Sequence, residues 1–500
     1  MSTKAGLADP NREGAPIDDG RAAARGGLSL LVLQSLGRLT GLAFVAAVTR
    51  ELAPAQFGRY STVAAVVVLG NFLADFGTSS AMTRLVSRAP SEADRLLRGT
   101  VPASLLLGLL GYGAVVLFAA LSYPATTVGD MAIGGLAIPS ASVLSSLLGA
   151  LDGVGLIARR AAITAVQTLI VAMGAIPVLL GTGVRGALVA LAAAPAVAVL
   201  VAVVVLRRAR IWTSRPAFDE GSTRTLLRAA LPFAVTGGLS ALTMRFDVVL
   251  LSLLSSAAET ARYDIALRLL EAGAYVSTAL TAPLFFLLSR RLGAGDRDGA
   301  RRAYDDAVRA VYLLGLPVSA GLVLLARPIL DVAVGYGYGP AATPLAIMGA
   351  AQWLAWLTFA QGALIMAGDF LRRGIIVAAL VTAVTLALDC VLIPRLGSTG
   401  AAVAMVATWV VTAVLYHRLH ARTVGIATRP PSPRVLASTA LMALAVWPLR
   451  DLALPVPVVV GAVVFAVAVC VTGGVTAADR WRVTGFLMRR TGHGERVETC

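Results

Sequence analysis

The sequence predicts an all-α polytopic membrane protein with 14 transmembrane helices, and three observations lead to this fold class. The 500 residues are 57% hydrophobic with a mean hydropathy of +0.80, whereas soluble domains are apolar over about half of their residues or less. Arginine is unevenly divided between the loops. Finally, a bilayer core needs about 20 apolar residues per helix, and fourteen runs meet this need, near 28–49, 60–81, 99–122, 131–151, 161–181, 186–206, 229–254, 263–288, 310–326, 343–366, 374–393, 399–416, 435–449 and 455–475.

The arginine distribution predicts the orientation of these spans. Of the 43 Lys and Arg residues, seven fall in alternate loops, three lie within spans and the remaining 33 lie on the other side. Because basic residues are retained in the cytoplasm, we expect both termini to be cytoplasmic. Lys4 is the single lysine, and this heavy use of Arg, Ala and Val is typical of a GC-rich bacterial genome. We therefore expect a multi-pass protein of the bacterial cytoplasmic membrane.

The net charge of +16 does not indicate a nucleic-acid partner. Nucleic-acid-binding proteins gather basic residues on one face, with interleaved aromatic residues. In this chain the charge is instead spread over several loops and two tails. Membrane topology explains it better, so membrane lipids are the expected partners.

The chain also resembles a duplication. Span 2 opens with residues 59–61 (RYS) and span 8 opens with residues 262–264 (RYD), while Gly-rich turns join spans 5 to 6 and 11 to 12. Six spans per half return the chain to the same side, which predicts parallel repeats. We expect two pseudo-symmetric six-helix lobes plus two extra C-terminal helices. The boundaries are a disordered cytoplasmic tail (1–26), an N-lobe (27–206), a cytoplasmic linker (207–228), a C-lobe (229–422), spans 13 and 14 (423–478) and a cytoplasmic tail (479–500).

Three short motifs carry a family resemblance. Residues 51–60 (ELAPAQFGRY) resemble the "lgPeeFGlY" signature of polysaccharide exporters, residues 73–78 (LADFGT) their "l.DfGl" pattern, and residues 392–402 (LIPRLGSTGAA) their "LiPrfGi.GAA" turn. The chain thus resembles the lipid-linked oligosaccharide flippases of the multidrug/oligosaccharidyl-lipid/polysaccharide exporter superfamily. That resemblance implies that spans 1, 2, 7 and 8 line a cavity. Asp389 is a departure, since the family often has Asn there.

The loops give no indication of an enzyme. The outer loops are short, and no Gly-rich phosphate loop with its lysine occurs, so ATP hydrolysis is not expected. We predict no catalytic residue, no cofactor and no metal site. His417 and His420 lie one turn apart, but they lack a nearby Cys or acidic partner. A solvated helix end is therefore the expected environment of both.

Ionisable groups within membrane spans are candidates for function, because each costs about 2.5–3.5 kcal/mol to insert. They concentrate in spans 1, 2, 7 and 8. Guanidinium groups match phosphate oxygens, so a central cleft is predicted to bind substrate, while nearby acids balance charge or couple an ion. The predicted substrate-binding residues are Arg38, Arg245, Arg268, Gln34 and Asn71, and the acids are Asp75, Asp247, Asp264 and Glu271. Alternatively, these groups pair with each other as scaffold, since Arg268 lies one turn from Asp264 and Glu271.

The predicted function is that of a flippase or exporter. By resemblance, it moves an undecaprenyl-diphosphate-linked oligosaccharide across the cytoplasmic membrane for surface polysaccharide biosynthesis. A small-molecule cation antiporter of the same superfamily and a lipid II flippase are the alternatives, and short outer loops disfavour a glycosyl polymerase. The lipid-linked oligosaccharide is the expected partner, with a polysaccharide polymerase and glycosyltransferases as further candidates, and the protein is expected to be a monomer.

The orientation is testable by cysteine accessibility in a cysteine-free background. Cysteines placed at Thr126, Ser256 and Gly337 should react with a membrane-impermeant maleimide in intact cells, because the arginine distribution places them outside. Cysteines at Ser214 and Asp298 should react only after the membrane is opened. Reversal at two of the five positions would contradict the orientation.

Overall fold

The computed structural model describes residues 40–368 and 371–473, and within these ranges its regular structure is entirely helical. Seven of the described helices are long and apolar enough to cross a membrane, judged by length and composition. Helices suit this environment because every backbone N–H and C=O must be paired where water is absent. The predicted all-α polytopic class is confirmed, while the count of 14 spans stays a prediction.

The chain divides into two compact units. Among the described residues, unit 1 comprises 40–52 and Thr62–Arg245, and unit 2 comprises Ala53–Ser61, 246–368 and 371–473. The beginning of one helix, α2 (Pro54–Asp75), thus belongs to unit 2 and its remainder to unit 1.

Unit 1 is a bundle of helices around an aliphatic core. Buried leucines of four segments meet there, among them Leu97, Leu147 and Leu206, and Trp212 of the following loop closes it. The helices are α1 (40–51), the main part of α2, α3 (Thr78–Arg88), α4 (Ala93–Ser122), α5 (Ala125–Gly135), α6 (Ala137–Gly153), α7 (Ile157–Met173), the one-turn α8 (Ala175–Pro177), α9 (Val184–Arg208) and most of α10 (Glu220–Leu254).

Unit 2 has a core that is richer in aromatic residues. Trp356, Tyr304 and Leu364 are fully buried at its centre. Its helices are the end of α10, α11 (Ala257–Gly293), α12 (Arg297–Leu324), α13 (Ala326–Ala333), α14 (Ala342–Ala350), α15 (Gln352–Ala367), α16 (Leu371–Thr423), α17 (Pro433–Val446) and α18 (Pro455–Val471). The last two pack on α12 and α13 through a small cluster that contains Leu325, Met442 and Val446.

The predicted second span (60–81) is interrupted in the structure. Phe76 and Gly77 both have positive φ angles, of 44° and 74°, and separate α2 from α3. The Asp75 carboxylate accepts hydrogen bonds from the Thr78 hydroxyl at 3.1 Å and from the Ser79 backbone N–H at 3.3 Å. A β-carbon at Gly77 would lie 2.8 Å from the Ala230 carbonyl oxygen. The DFG motif of this chain is therefore a capped helix break against α10.

Spans 11 and 12 follow each other directly within α16, and Gly397 (φ 56°, ψ −133°) breaks the helical backbone between them. The Glu259 carboxylate accepts hydrogen bonds from the Ser398 backbone N–H, at 3.0 Å, and from the Ser398 hydroxyl. Glu259 itself lies in the first turn of α11, whose N-cap is Ser256. The turn between spans 11 and 12 is thus fixed to the beginning of α11.

The expected solvated environment of His420 is wrong. Its side chain is fully buried, Nδ1 bonds to the Ile426 carbonyl oxygen, and Nε2 lies 3.2 Å from the Thr428 hydroxyl. The loop after α16 folds back over the histidine, which periodicity alone could not indicate. Among the described residues, no group of three or more His, Cys, Asp and Glu side chains suits a metal ion.

Gly58→Ala should destabilise the protein by about 3 kcal/mol or more. The new β-carbon would lie 1.7 Å from the Ala257 carbonyl oxygen, and backbone displacement in a packed interior costs about 1–3 kcal/mol, occasionally more. Gly113→Ala is the matched control, because it is also within a helix and has nothing within 4 Å. It should leave stability unchanged or raise it by up to about 1 kcal/mol. Thermal unfolding of both variants in detergent makes the measurement, and equal melting temperatures would contradict this packing.

Candidate functional site

The first signature motif positions the beginning of α2 within unit 2. Gly58 allows the helix to approach the Ala257 carbonyl closely. Next to it, Phe57 packs edge-on against Tyr338, with ring centroids 6.2 Å apart. Both aromatic side chains are buried. This packing places Tyr60 and Ser61 beside α11.

Asp264 is the centre of a buried polar network in unit 2. One carboxylate oxygen, Oδ2, accepts a hydrogen bond from the Ser61 hydroxyl at 2.7 Å and another from Arg268 Nε at 2.7 Å. Asp264 is 1% exposed, whereas the Arg268 side chain retains 25% of its exposure. Tyr60 and Glu271 lie close enough to Arg268 to interact with it electrostatically. The local pairing of Arg268 with Asp264, one helical turn apart, is therefore present.

Arg268 bonds to Asp264 through Nε, and its two terminal nitrogens are further donor groups. Neither terminal nitrogen makes a hydrogen bond within the described part of the chain. Because Nε is bonded to a buried carboxylate, the guanidinium is held in one orientation, and the side chain remains partly exposed. Such a group can donate two parallel hydrogen bonds to phosphate oxygens.

A second group of acidic residues lies on α10 and α16 of unit 2. Asp247 accepts hydrogen bonds from the buried Tyr263 hydroxyl and from the Val248 backbone N–H at 2.8 Å. Asp389 is 1% exposed, and its Oδ2 has no hydrogen-bond partner among the described residues. The two carboxylates interact electrostatically. Two buried carboxylates that interact in this way repel each other when both are ionised.

Two buried hydroxyl groups lie on α16, one before the break at Gly397, as Asp389 does, and one after it. Thr385 precedes Asp389 by one turn, and its hydroxyl lies 2.9 Å from that of Thr408, which is also buried. Each hydroxyl also lies within hydrogen-bond distance of the carbonyl oxygen of the residue four positions earlier. Because a hydroxyl has one proton, one of the two donates across the pair and the other donates to the backbone carbonyl four positions before it.

The other residues predicted to bind substrate or balance charge lie outside these two networks or outside the described residues. Asn71 is half-buried on α2, and its Oδ1 lacks a hydrogen-bond partner in the described chain. Asp75 caps α3, as described above, and Arg245 is the last residue of unit 1, on α10, where it is half-buried. Gln34 and Arg38 lie outside the described residues. The structure thus brings Asp264, Arg268 and Glu271 together, and separately Asp247 and Asp389.

Sequence reasoning missed Tyr60, Ser61 and Tyr263 as members of these networks. A signal was present, because residues 59–61 and 262–264 form one of the matches of the proposed duplication. Ser61 and Asp264 occupy equivalent positions in that match, and they bond to each other. Helical repeats alone did not indicate that the matched residues would touch.

Comparison with known proteins agrees with this architecture. The chain adopts the fold of a solved structure of "Lipid II flippase MurJ, inward closed conformation", with a TM-score of 0.73 over 88% of this chain and 98% of that one at 12% identity. An inward-facing multidrug resistance MATE family transporter of the MOP superfamily gives a TM-score of 0.62 over 78% and 94%, at 17% identity. At these identities the likeness establishes the fold. The chain therefore has the fold that these two solved transporter structures share.

The sequence comparisons identify the family. A family model described as "Polysaccharide biosynthesis protein" matches residues 23–289, so the chain belongs to that family. A curated relative, "Probable lipid II flippase MurJ" of Rhizobium meliloti (strain 1021), is 29% identical over 252 residues. That alignment spans 48% of this chain and 46% of the relative, less than half of either. The resemblance inferred from the three motifs is confirmed.

Asp264→Ala should lower stability by about 3–5 kcal/mol, because it leaves the Arg268 charge without its buried partner. Ser61→Ala removes one hydrogen bond to a charged group and should cost about 1.5–3 kcal/mol. The double variant should cost less than the two single changes together, since both remove the same bond. Ser87→Ala, on an exposed surface of α3, is the control and should stay within about 0.5 kcal/mol. Additive effects in detergent unfolding would contradict the network.

Proposed function

We propose that the protein is a flippase that moves a saccharide linked to undecaprenyl diphosphate from the inner to the outer leaflet of the bacterial cytoplasmic membrane. The saccharide is an oligosaccharide destined for surface polysaccharide. One observation carries the proposal beyond the family: Arg268 of α11 is fixed at Nε by the buried Asp264 and is exposed over a quarter of its side chain. A guanidinium that is fixed in orientation and partly exposed is suited to bind a diphosphate.

The other predicted residues take their place in the same proposal. Arg38, Arg245, Gln34 and Asn71 are the further residues proposed to bind the diphosphate and the first sugars, while the lipid tail stays in the bilayer. Asp75, Asp264 and Glu271 balance the arginine charges when no substrate is bound. The chain acts as a transporter without a catalytic step, as a monomer with cytoplasmic termini, with the lobe boundaries predicted from the sequence.

Coupling to an ion is assigned to Asp247 and Asp389. Their carboxylates are buried, they repel each other, and one oxygen of Asp389 has no hydrogen-bond partner among the described residues. A proton or a cation entering between them relieves this repulsion. The absence of a phosphate-binding loop in the sequence supports a gradient as the energy source. Polymerase and glycosyltransferases of the same biosynthesis are the proposed functional partners.

Two other substrates are kept as alternatives. Lipid II is favoured by the curated relative and by the fold comparison, and it carries the same lipid diphosphate. A small organic cation is favoured by the likeness to the multidrug transporter, but it would require a site dominated by acids. The arginine fixed by Asp264 argues for an anionic substrate.

The test is transport in proteoliposomes containing the purified full chain. Fluorescent undecaprenyl-diphosphate oligosaccharide, lipid II and a fluorescent organic cation are supplied in parallel. Arg268→Ala should lower the initial rate for the diphosphate lipids at least tenfold, because a charge-assisted bidentate contact is lost. Arg268→Lys should recover only part of it, since ammonium lacks the planar fork. Arg301→Ala, an exposed arginine of α12, is the control.

Three outcomes separate the proposals. Unchanged transport by a stable Arg268→Ala variant would remove Arg268 from substrate binding, and preference for the cation would favour the antiporter. Preference for lipid II over the oligosaccharide would assign that substrate instead. Asp389→Asn should make the rate independent of an imposed proton or sodium gradient, and a preserved gradient dependence would contradict the coupling role.

A further inference from the structure

A cavity of about 540 Å³ lies in unit 2, away from both polar networks described above. It lies between the N-terminal half of α12, the loop after α16 and the adjoining ends of α17 and α18. Its charged lining consists of three arginines, Arg309, Arg429 and Arg434, and two aspartates, Asp305 and Asp306. The cavity therefore carries an excess of positive charge.

The walls of the cavity are fixed by contacts that do not involve a ligand. The Tyr312 hydroxyl donates to the Arg429 carbonyl oxygen at 2.9 Å, and Arg429 Nη1 lies 3.5 Å from Asp305 Oδ2. Beneath them, the Tyr304 hydroxyl lies 2.7 Å from that of Thr428. The loop after α16 is thereby attached to α12 at three points. The cavity is formed in advance, which lowers the entropic cost of binding.

The beginning of α17 adds to the positive potential. Ser432 is its N-cap and Pro433 its first residue, and the partial positive charge of a helix N-terminus favours an anion. Arg434 Nη1 donates to the Gly473 carbonyl oxygen at 3.3 Å, which joins the two appended helices at this end. An anion in the cavity would contact groups from α12, α17 and the preceding loop together.

The surface beside the cavity is apolar and faces outward. Leu436 on the first turns of α17 is 45% exposed and Val471 at the end of α18 is 80% exposed. In a membrane helix such side chains contact acyl chains. A basic cavity that borders a lipid-facing surface is the arrangement by which membrane proteins recognise anionic lipid headgroups on the cytoplasmic side. A free anion would gain nothing from the apolar border.

We propose that this cavity binds the phosphate headgroup of an anionic phospholipid of the cytoplasmic leaflet, such as phosphatidylglycerol, with its acyl chains along α17 and α18. The bound lipid clamps the appended helix pair to α12. The leaflet follows from the predicted orientation, in which this end of the spans is cytoplasmic. The proposal does not depend on which substrate is transported.

The experiment measures lipid binding to the purified full chain. Phosphatidylglycerol, phosphatidylcholine and inorganic phosphate are titrated separately, with bound lipid counted by native mass spectrometry and the melting temperature recorded. Phosphatidylglycerol should bind and raise the melting temperature, and the other two should not. Arg309→Gln and Arg434→Gln should each raise the dissociation constant about fivefold. This factor corresponds to the roughly 1 kcal/mol that each arginine contributes near an anionic lipid.

Two variants keep the test decisive. Arg301→Gln, two turns earlier on α12 and exposed, should leave the dissociation constant unchanged. Asp306→Asn removes a negative charge from the lining and should tighten binding, an increase that misfolding cannot imitate. It decides the matter even where an arginine variant fails to fold.

The opposite results are equally clear. Equal loss of binding in Arg301→Gln and Arg434→Gln, or equal binding of phosphatidylcholine, would overturn the proposal. Stabilisation by inorganic phosphate alone would assign the cavity to a soluble anion. Lipid binding that appears only after residues 479–500 are removed would assign it to the chain's own tail.

Discussion

The carboxylate of Asp264 is the constraint on which the candidate site depends. It is buried on α11, where an unpaired charge is costly, and it accepts hydrogen bonds from the Arg268 guanidinium and the Ser61 hydroxyl. The cation, Arg268, is thereby fixed in orientation. The hydroxyl, Ser61, requires the beginning of α2 to lie against α11, and only glycine at position 58 permits that approach. The Asp264 carboxylate thus explains both the fixed orientation of Arg268 and the glycine in the signature at residues 51–60.

The same physical reading applies to the other motifs of the family resemblance. In residues 73–78 the aspartate caps a helix break, and the glycine after Phe76 takes a left-handed conformation against the Ala230 carbonyl. In residues 392–402 Gly397 turns the chain where Glu259 binds the next backbone N–H. These motifs therefore encode helix ends and close approaches. They carry no information about the substrate.

The sequence predicted the helical class and the membrane setting well, because hydrophobic runs and loop arginines follow directly from the physics of the bilayer. The i, i+4 pairing of Asp264 with Arg268 was also predictable from helix geometry. Ser61, Tyr263 and Thr428 were not, since each meets its partner through tertiary packing. His420 shows the limit most clearly: its position suggested solvent, but a loop folds back and buries it.

The bond between Ser61 and Asp264 also constrains how the protein is made. Its partners are separated by 203 residues, so Asp264 leaves the ribosome long after Ser61. At elongation rates of about 5–20 residues per second the delay is about 10–40 s. Throughout this interval the beginning of α2 is inserted without the carboxylate that it later contacts. Residues 53–61 therefore reach their final packing only once the second half of the chain begins to enter the membrane, which makes this signature a late step of assembly despite its early place in the sequence.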